Sequence, residues 1–208
     1  MAAVEGYRVV VAARSEERLA ALARDLGGID RALAVRCDVT EWDAQQAMVA
    51  AALERFGQVD AVFANAGFGA KRGFLNESPE HWREMVLTNV YGAALTVRAT
   101  YEELRRTRGH LLLCGSVAGQ KAVPGSMYSC TKWAVTAMAE AARLELHGSG
   151  VRVTLVAPGT VDTPFYQERP PLDVLQPVDV ARAVLYALAQ PPHVNVNHVL
   201  LRPTSQEF

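Results

Sequence analysis

Residues 8–25, RVVVAARSEERLAALARD, pass from an apolar run into a helical segment. The run at 9–13 is rich in valine and short, which is typical of a buried strand. Ser15 follows it at a position suited to a helix N-cap. A strand followed directly by a helix is the unit from which parallel sheets are built.

The same alternation continues along the chain. Apolar runs predict strands at 8–13, 32–37, 61–64, 110–115, 152–156 and 198–201. The segments between them predict helices at 15–25, 41–55, 78–107, 127–147 and 177–189. We therefore expect an α/β fold with a doubly wound parallel sheet in a single domain, residues 1–208. Ligands of such sheets bind at the carboxyl ends of the strands, so the loops there should carry the chemistry.

Composition excludes several classes of protein. The chain has 208 residues, of which 50% are hydrophobic, and a formal net charge of -1, so it has no general attraction to nucleic acid or anionic lipid. Cys37, Cys114 and Cys130 lack CxxC spacing, which favours neither a disulfide framework nor a zinc site, and a cytoplasmic location fits best. No apolar run approaches the length of a membrane span, and no signal peptide is expected.

The run YSCTK places Tyr128 and Lys132 four residues apart near the start of a helix, hence on one face. A neighbouring ammonium favours the phenolate and brings a phenol closer to the pH at which it can exchange a proton with an alcohol or carbonyl. Ser116 ends a buried strand and could hold a substrate oxygen beside the phenol, although a serine there is more often a turn former. Asn89 lies inside a predicted helix, where asparagine has poor propensity.

The other candidates have plainer interpretations. The five histidines show no spacing typical of metal ligands and are interpreted as structural or surface residues, so no metal is expected. Cys114 and Cys130 are best explained as small buried side chains. Trp82 and Met85 are three residues apart, as expected for helix packing. These histidines are His81, His110, His147, His193 and His198.

Five motifs occur together in order and spacing: NAG at 65–67, Asn89, Ser116, YxxxK at 128–132, and PG at 158–159. With them the chain resembles the short-chain dehydrogenase/reductase family over essentially its whole length. The resemblance implies a Rossmann-type fold and the NAD(P)-dependent interconversion of an alcohol and a carbonyl. It implies that Tyr128 is the acid/base, that Lys132 lowers its pKa and holds the nicotinamide ribose, that Ser116 orients the substrate oxygen, and that Asn89 supports a water-linked proton path.

The resemblance also implies a set of cofactor residues along the carboxyl edge of the sheet. Asp38 and Val39 would contact the adenine, the 65–67 loop the adenosine ribose, and the 158–163 loop the nicotinamide and pyrophosphate. Ala13 stands where NAD-binding members usually have an acidic residue, and the guanidinium of Arg14 suits a 2′-phosphate, so NADP is expected rather than NAD. A solvated arginine at a strand end is the alternative. The full set is Arg14, Ser15, Asp38, Val39, Asn65, Ala66, Gly67, Tyr128, Lys132, Pro158, Gly159, Val161 and Thr163.

Family members begin with a strand, a TGxxxGxG loop and a helix, and we expect residues 1–208 to lack the strand, the loop and most of this helix, of which the residues before Gly6 look like the last turn. In the family's strand order, 3-2-1-4-5-6-7, this strand is central. We therefore expect two open ladders and a gap of roughly 10 Å between them. We also expect weak NADP binding, because the pyrophosphate loses its amide cradle. Either the coding sequence starts upstream, or the chain is a non-catalytic binding or interaction protein on the same scaffold.

The substrate and the assembly follow from looser signals. Few residues separate Thr163 from Pro177, including ERPP at 168–171, so little apolar area is expected over the substrate. The ending PPHVNVNHVLLRPTSQ, at 191–206, resembles that of the 3-hydroxy acid and serine dehydrogenase subgroup. Small polar hydroxy acids are therefore the first expectation, with a ketone, sugar or acyl-carrier substrate as the alternative. Family members commonly pair their two long helices, which favours a homodimer or homotetramer.

Overall fold

A computed structural model describes residues 1–166 and 173–207, in which strands and helices alternate. Every predicted strand and helix is present within two residues of its predicted bounds, and the α/β fold class is confirmed. The strands are β1 (Val9–Ala13), β2 (Ala32–Arg36), β3 (Ala61–Ala64), β4 (His110–Cys114), β5 (Arg152–Pro158) and β6 (His198–Leu201). The α-helices are α1 (Glu16–Asp25), α2 (Trp42–Phe56), α3 (Pro79–Val86), α4 (Ala93–Thr107), α5 (Met127–Glu145) and α6 (Pro177–Leu188).

The core lies around β4 and β5, at the centre of a four-stranded parallel sheet of order β3-β4-β5-β6. Successive residues of β4 point to opposite faces of the sheet. Leu111 and Leu113 pack in one cluster with Leu104 of α4 and Val135 of α5. Leu112 packs in a second cluster with Val156 and Ala187, the latter on α6. Helices thus cover both faces, which explains why these strands are largely apolar.

β1 and β2 form a separate two-stranded parallel sheet. Among the described strands, β1 pairs only with β2 and β3 pairs only with β4, so the two predicted open ladders are confirmed. Both strands line one cavity of ≈ 950 Å³.

Helix α2 joins the two sheets. Its buried Gln45 donates from Nε2 to the carbonyls of Val39 and Gly92 at 3.0 and 3.2 Å, and to the Thr96 hydroxyl at 2.8 Å. Val39 follows β2, and Thr96 belongs to α4, so this one amide ties the end of the small sheet to a helix of the large one. The cavity consequently lies inside a single packed unit.

The segment predicted as one helix, 78–107, is not uniform. Ser78 caps it as predicted, accepting from the His81 N–H at 3.1 Å. Between α3 and α4, however, residues Leu87–Gly92 form a π-helix. A Cβ added at Gly92 would lie 2.7 Å from Cγ2 of Val39, so only glycine allows the helix to approach the end of β2 this closely. In the described part of the chain, we find no helix with the length and apolar character that a bilayer span requires.

Candidate active site

Ser116 and Tyr128 meet at the carboxyl end of β4. Ser116 follows this strand by two residues, and Tyr128 is the second residue of α5. The Ser116 hydroxyl accepts from the Ala118 N–H at 3.1 Å, and its side chain lies close enough to the Tyr128 phenol to lower the pKa of that phenol. The structure therefore brings the two predicted hydroxyl side chains together.

Burial dominates the chemistry of Tyr128. It raises the pKa of the phenol above the ordinary value near 10, and the hydrogen bond from Ser116 offsets only part of the rise. The ring of Phe165 lies 5.4 Å from that of Tyr128, centre to centre. Gly69 makes room for Phe165, because a Cβ at this position would lie 2.8 Å from the Phe165 ring. At neutral pH the Tyr128 phenol is thus protonated and can donate its proton, and the ring of Phe165 lies against it.

Lys132 lies one turn further along α5 and is only 4% exposed. Its Nζ donates to the backbone carbonyl of Cys114 at 2.7 Å and lies 5.7 Å from the centre of the Tyr128 ring. Burial lowers the pKa of Lys132. In this arrangement the ammonium is bound to a carbonyl and burial raises the pKa of Tyr128, so the lowering of the phenol pKa by Lys132 stays a prediction.

Asn89 lies in the π-helix and is 1% exposed. Its Oδ1 accepts from the Phe68 N–H at 3.0 Å, and its Nδ2 donates to the Phe68 carbonyl at 2.9 Å and to the Thr131 hydroxyl at 3.1 Å. Both amide hydrogens are therefore used to hold the loop after β3 against α5. A Cβ added at Gly67 would lie 3.0 Å from Asn89 Oδ1 and 3.7 Å from Lys132 Nζ, so this loop passes directly over both side chains.

Six of the predicted cofactor residues line the cavity between the two sheets. Two hydrogen bonds fix the carboxylate of Asp38: the N–H and the hydroxyl of Thr40 donate to its Oδ1 at 3.0 and 2.8 Å. These bonds, helped by the nearby charges of Arg14 and Arg36, hold the pKa of Asp38 below its ordinary value. The six are Arg14, Asp38, Val39, Asn65, Ala66 and Gly67.

The remaining predicted cofactor residues are placed elsewhere. Ser15 caps α1, with its hydroxyl 3.5 Å from the Arg18 N–H. Pro158 ends β5, and Gly159 donates from its N–H to the Leu201 carbonyl at 2.7 Å. Val161 bridges Leu175, and the Thr163 hydroxyl accepts from the Phe165 N–H at 3.4 Å. Thr163 is thus connected through Phe165 to the Tyr128 side of the site, and the predicted ERPP segment lies outside the described residues.

The sequence interpretation missed four contributors to the site. Phe165 and Tyr166 adjoin Tyr128, and the aromatic pair directly after the 158–163 loop was the signal that could have indicated them. The Cys114 carbonyl that holds Lys132 gave no signal, because backbone acceptors cannot be identified from residue type. Thr88 lines the cavity, and its position next to the predicted Asn89 was the signal that could have indicated it.

The residues present suit the two ends of a dinucleotide. Arg14 and Asp38 offer a cation and a hydrogen-bonding carboxylate for an adenosine phosphate and ribose. Gly67, which lines the cavity and passes over Lys132, connects that end to the Tyr128 end. Chemically, the Ser116–Tyr128 pair can donate a proton to an oxygen atom placed between the two hydroxyls.

Comparison with protein families gives a match over most of the chain. Residues 1–172 match the family model described as short chain dehydrogenase. An uncharacterized oxidoreductase of Staphylococcus aureus (strain MW2) is 36% identical over 203 residues, which cover 96% of this chain and 87% of that protein.

Solved structures show the same similarity in three dimensions. An alcohol dehydrogenase from the archaeon Thermococcus sibiricus, complexed with 5-hydroxy-NADP, superposes with a TM-score of 0.90 at 31% identity, covering 99% of this chain and 89% of that one. A serine dehydrogenase from Escherichia coli superposes with a TM-score of 0.90 at 30% identity, covering 99% of this chain and 91% of that one.

Proposed function

The chain belongs to the short chain dehydrogenase family of oxidoreductases, and from this premise we propose that it interconverts an alcohol and a carbonyl with NADP, using Tyr128 as the acid/base. The observation that carries the proposal is the convergence of Ser116, after the carboxyl end of β4, and Tyr128, at the start of α5, where the Ser116 side chain acts on the phenol. Lys132 lies one turn away, and the Gly67 loop passes above it.

The cofactor, when bound, supplies a hydride to the carbonyl carbon or accepts one from the alcohol carbon. In reduction, Tyr128 donates its phenolic proton to the carbonyl oxygen, so that the oxygen gains a proton as the carbon gains a hydride. In oxidation, the phenolate takes that proton back. Ser116 donates a hydrogen bond to the same oxygen and fixes it beside the phenol.

Lys132 and Asn89 act around this pair. Lys132 is buried beside the phenol, and its ammonium is available for a ribose hydroxyl if it leaves the Cys114 carbonyl. Asn89 is a positioning residue: it fixes Phe68, and with it the Gly67 loop that lies over Lys132.

NADP is proposed over NAD because of Arg14. Its guanidinium lines the cavity at the carboxyl end of β1, where it lowers the pKa of Asp38 through its charge. A bidentate, charge-assisted contact with a 2′-phosphate is the strongest use of such a group. The similar archaeal alcohol dehydrogenase carries 5-hydroxy-NADP, and a serine dehydrogenase with a TM-score of 0.90 is complexed with NADP⁺, whereas a 3-ketoacyl reductase neighbour is complexed with NADH.

A small polar hydroxy acid is the proposed substrate. Phe165 covers Tyr128 closely, which restricts the space for a large ligand. The similarity to the E. coli serine dehydrogenase supports the same class. A ketone, a sugar or an acyl-carrier substrate is the alternative, and a panel containing all four classes discriminates between them.

A homodimer or homotetramer remains a proposal that exposed apolar side chains support. Tyr91, in the π-helix, is 47% exposed, and Trp133 and Leu144 of α5 are 45% and 60% exposed. Apolar groups of this size on two long neighbouring helices are typical of a self-complementary interface.

The test measures NADPH oxidation with the carbonyl panel for the wild type, Tyr128→Phe and Ser116→Ala. Tyr186→Phe is the matched control, because Tyr186 is an exposed tyrosine on α6. We expect kcat to fall by about 10²–10⁴ for Tyr128→Phe, as for loss of a general acid, with the control unchanged. Equal rates for Tyr128→Phe and the wild type would remove Tyr128 from the mechanism.

A second candidate is a non-catalytic binding protein on the same scaffold. Two observations favour it: the sheet is divided by the cavity, and Lys132 is held on a carbonyl rather than free to act on the phenol. Fluorescence titration of the 208-residue chain with NADPH decides between the two. Micromolar affinity counts strongly against the non-catalytic candidate, and no detectable binding supports it.

A further inference from the structure

The loop after β3 is held by side chains from two neighbouring helical elements. Asn89 of the π-helix binds both the N–H and the carbonyl of Phe68. His81 of α3 binds the next residue, because its Nε2 lies 2.9 Å from the Gly69 carbonyl. A carbonyl oxygen only accepts, so the His81 ring carries a hydrogen on Nε2 and donates it. Two consecutive residues of the loop are therefore fixed by hydrogen bonds from outside it.

The hydrogen bond from His81 has no substitute in the described part of the chain, where we find no other donor to the Gly69 carbonyl. The His81 ring is itself well placed. The Phe68 ring meets it edge to face, with 5.2 Å between the ring centres. The His81 N–H donates to the Ser78 hydroxyl at the start of the helix. A change at position 81 that removes the donor would thus leave the Gly69 carbonyl unpaired.

Glu77 supports the same loop from the residues before α3. Its Oε2 accepts from the Lys71 N–H at 3.4 Å and lies 3.8 Å from Nε2 of His81. With a carbonyl and a carboxylate on this side of the ring, Nε2 carries its hydrogen whether the imidazole is neutral or protonated. The bond to Gly69 therefore persists in both protonation states of His81.

Gly69 is the residue on which Phe165 rests. A Cβ added at Gly69 would lie 2.8 Å from Cζ and 3.1 Å from Cε1 of Phe165, so the tip of the ring touches the glycine backbone. The same ring lies 5.4 Å from the Tyr128 ring, centre to centre. Because the Phe165 side chain is otherwise 42% exposed, a shift of Gly69 changes where the ring lies over Tyr128.

We propose that His81 is a positioning residue that sets how closely Phe165 covers Tyr128. It acts through the Gly69 carbonyl. The role in catalysis rests on the proposed function: a close cover excludes water from the phenol and encloses the substrate oxygen. Loosening the cover weakens the binding of substrate and transition state alike, so it raises KM and leaves kcat unchanged.

Hydroxyl-radical footprinting, read by mass spectrometry, measures the exposure of the Tyr128 side chain in the 208-residue chain without substrate. Tyr186, exposed on α6, is the internal reference. We expect His81→Leu, which removes the donor, to raise the labelling of Tyr128 by about two- to tenfold, the factor that one ordinary hydrogen bond allows. His81→Gln keeps an N–H donor and should retain the wild-type labelling.

Two further variants show whether His81 acts through Phe165. Gly69→Ala displaces the ring without altering His81, so it should also raise the labelling of Tyr128, and it serves as the test if His81→Leu does not fold. In a Phe165→Ala background the cover is already lost, so His81→Leu should change the labelling by less than about twofold. Unchanged labelling in His81→Leu, equal labelling in His81→Leu and His81→Gln, or a full effect of His81→Leu without Phe165 would overturn the proposal.

Steady-state NADPH oxidation measures the consequence for the reaction. We expect His81→Leu to raise the KM of the carbonyl substrate by about two- to tenfold with kcat unchanged, and His81→Gln to restore KM. An unchanged KM for His81→Leu in an active enzyme would overturn the proposal. If the labelling changes as expected and none of the proteins oxidises NADPH, the positioning role stands and the proposed function fails.

Discussion

The buried ring of His110 has one nitrogen with a hydrogen-bond partner and one without a partner among the described residues. This arrangement predicts that the free energy of unfolding falls in acid. The ring is 1% exposed, and its Nε2 lies 2.7 Å from the Thr154 hydroxyl. That hydroxyl donates to the Val196 carbonyl at 2.6 Å, so it accepts from His110. The neutral ring therefore carries its proton on Nε2, and its buried Nδ1 has no partner among the described residues.

Protonating Nδ1 would bury a charge with no acceptor for the new proton. Burial, with a smaller contribution from the charge of Arg152, lowers the pKa of His110 from 6.5 to about 4. Below pH 6.5 the unfolded chain binds a proton that the folded chain does not bind until about pH 4, so stability falls as the pH falls through this window. At 1.36 kcal/mol per pKa unit, the expected loss between pH 7 and pH 5 is about 2 kcal/mol.

Urea unfolding of the wild type and His110→Gln at pH 7, 6 and 5, followed by circular dichroism, measures this loss. Glutamine keeps a donor for Thr154 but does not titrate. Burial also lowers the pKa of His198, so the difference between the two proteins, and not the wild-type curve alone, isolates His110. We expect the wild type to lose about 2 kcal/mol more than the variant between pH 7 and pH 5. Parallel curves for the two proteins would refute the assignment of the buried neutral ring.

Three further predictions concern the site. Arg14→Ala should weaken NADP binding by about 10- to 100-fold and leave NAD binding unchanged, because one charge-assisted phosphate contact is lost; equilibrium titration with both nucleotides checks this. Asn89→Leu should cost about 1–3 kcal/mol in the free energy of unfolding, since the N–H and carbonyl of Phe68 lose their partners; denaturant unfolding measures it, and an unchanged midpoint contradicts it. The raised pKa of Tyr128 should make the rate of alcohol oxidation rise by about tenfold per pH unit between pH 7 and 9 while reduction stays flat, which steady-state pH profiles in both directions test.

The strands and helices could be predicted because the pattern of apolar residues in each element reflects which of its faces are buried. A strand covered on both faces, such as β4, is expected to be largely apolar, and Leu111, Leu112 and Leu113 make up its buried middle. The placement of Tyr128 and Lys132 on one face of α5 could also be predicted, because residues four apart in a helix lie on the same face. The two open ladders could also be predicted, because the predicted strands lack the central one in the strand order of the family that the chain resembles.

What could not be predicted depends on contacts that residue type does not encode. The π-helix at Leu87–Gly92 inserts one extra residue per turn into a segment whose composition fits an ordinary helix. The effect of the Lys132 charge on Tyr128 depends on the position of a flexible side chain. In the structure, this side chain donates to the backbone carbonyl of Cys114, at the end of β4. The position of Phe165 over Tyr128 depends equally on glycine at 69, a residue distant in the sequence.

The opposite pKa shifts of Tyr128 and Lys132 have one cause, and it bears on the direction of the reaction. Burial raises the pKa of an acid that is neutral when protonated and lowers that of a base that is charged when protonated, so both shifts favour the uncharged forms. A carbonyl needs a proton, which a neutral phenol can give, whereas an alcohol needs a phenolate, which burial disfavours. Because Lys132 bonds the Cys114 carbonyl, its charge does little to restore that phenolate. With Tyr128 as the proposed acid/base, the site without ligand therefore holds the neutral phenol, which is the form that can donate a proton to a carbonyl oxygen.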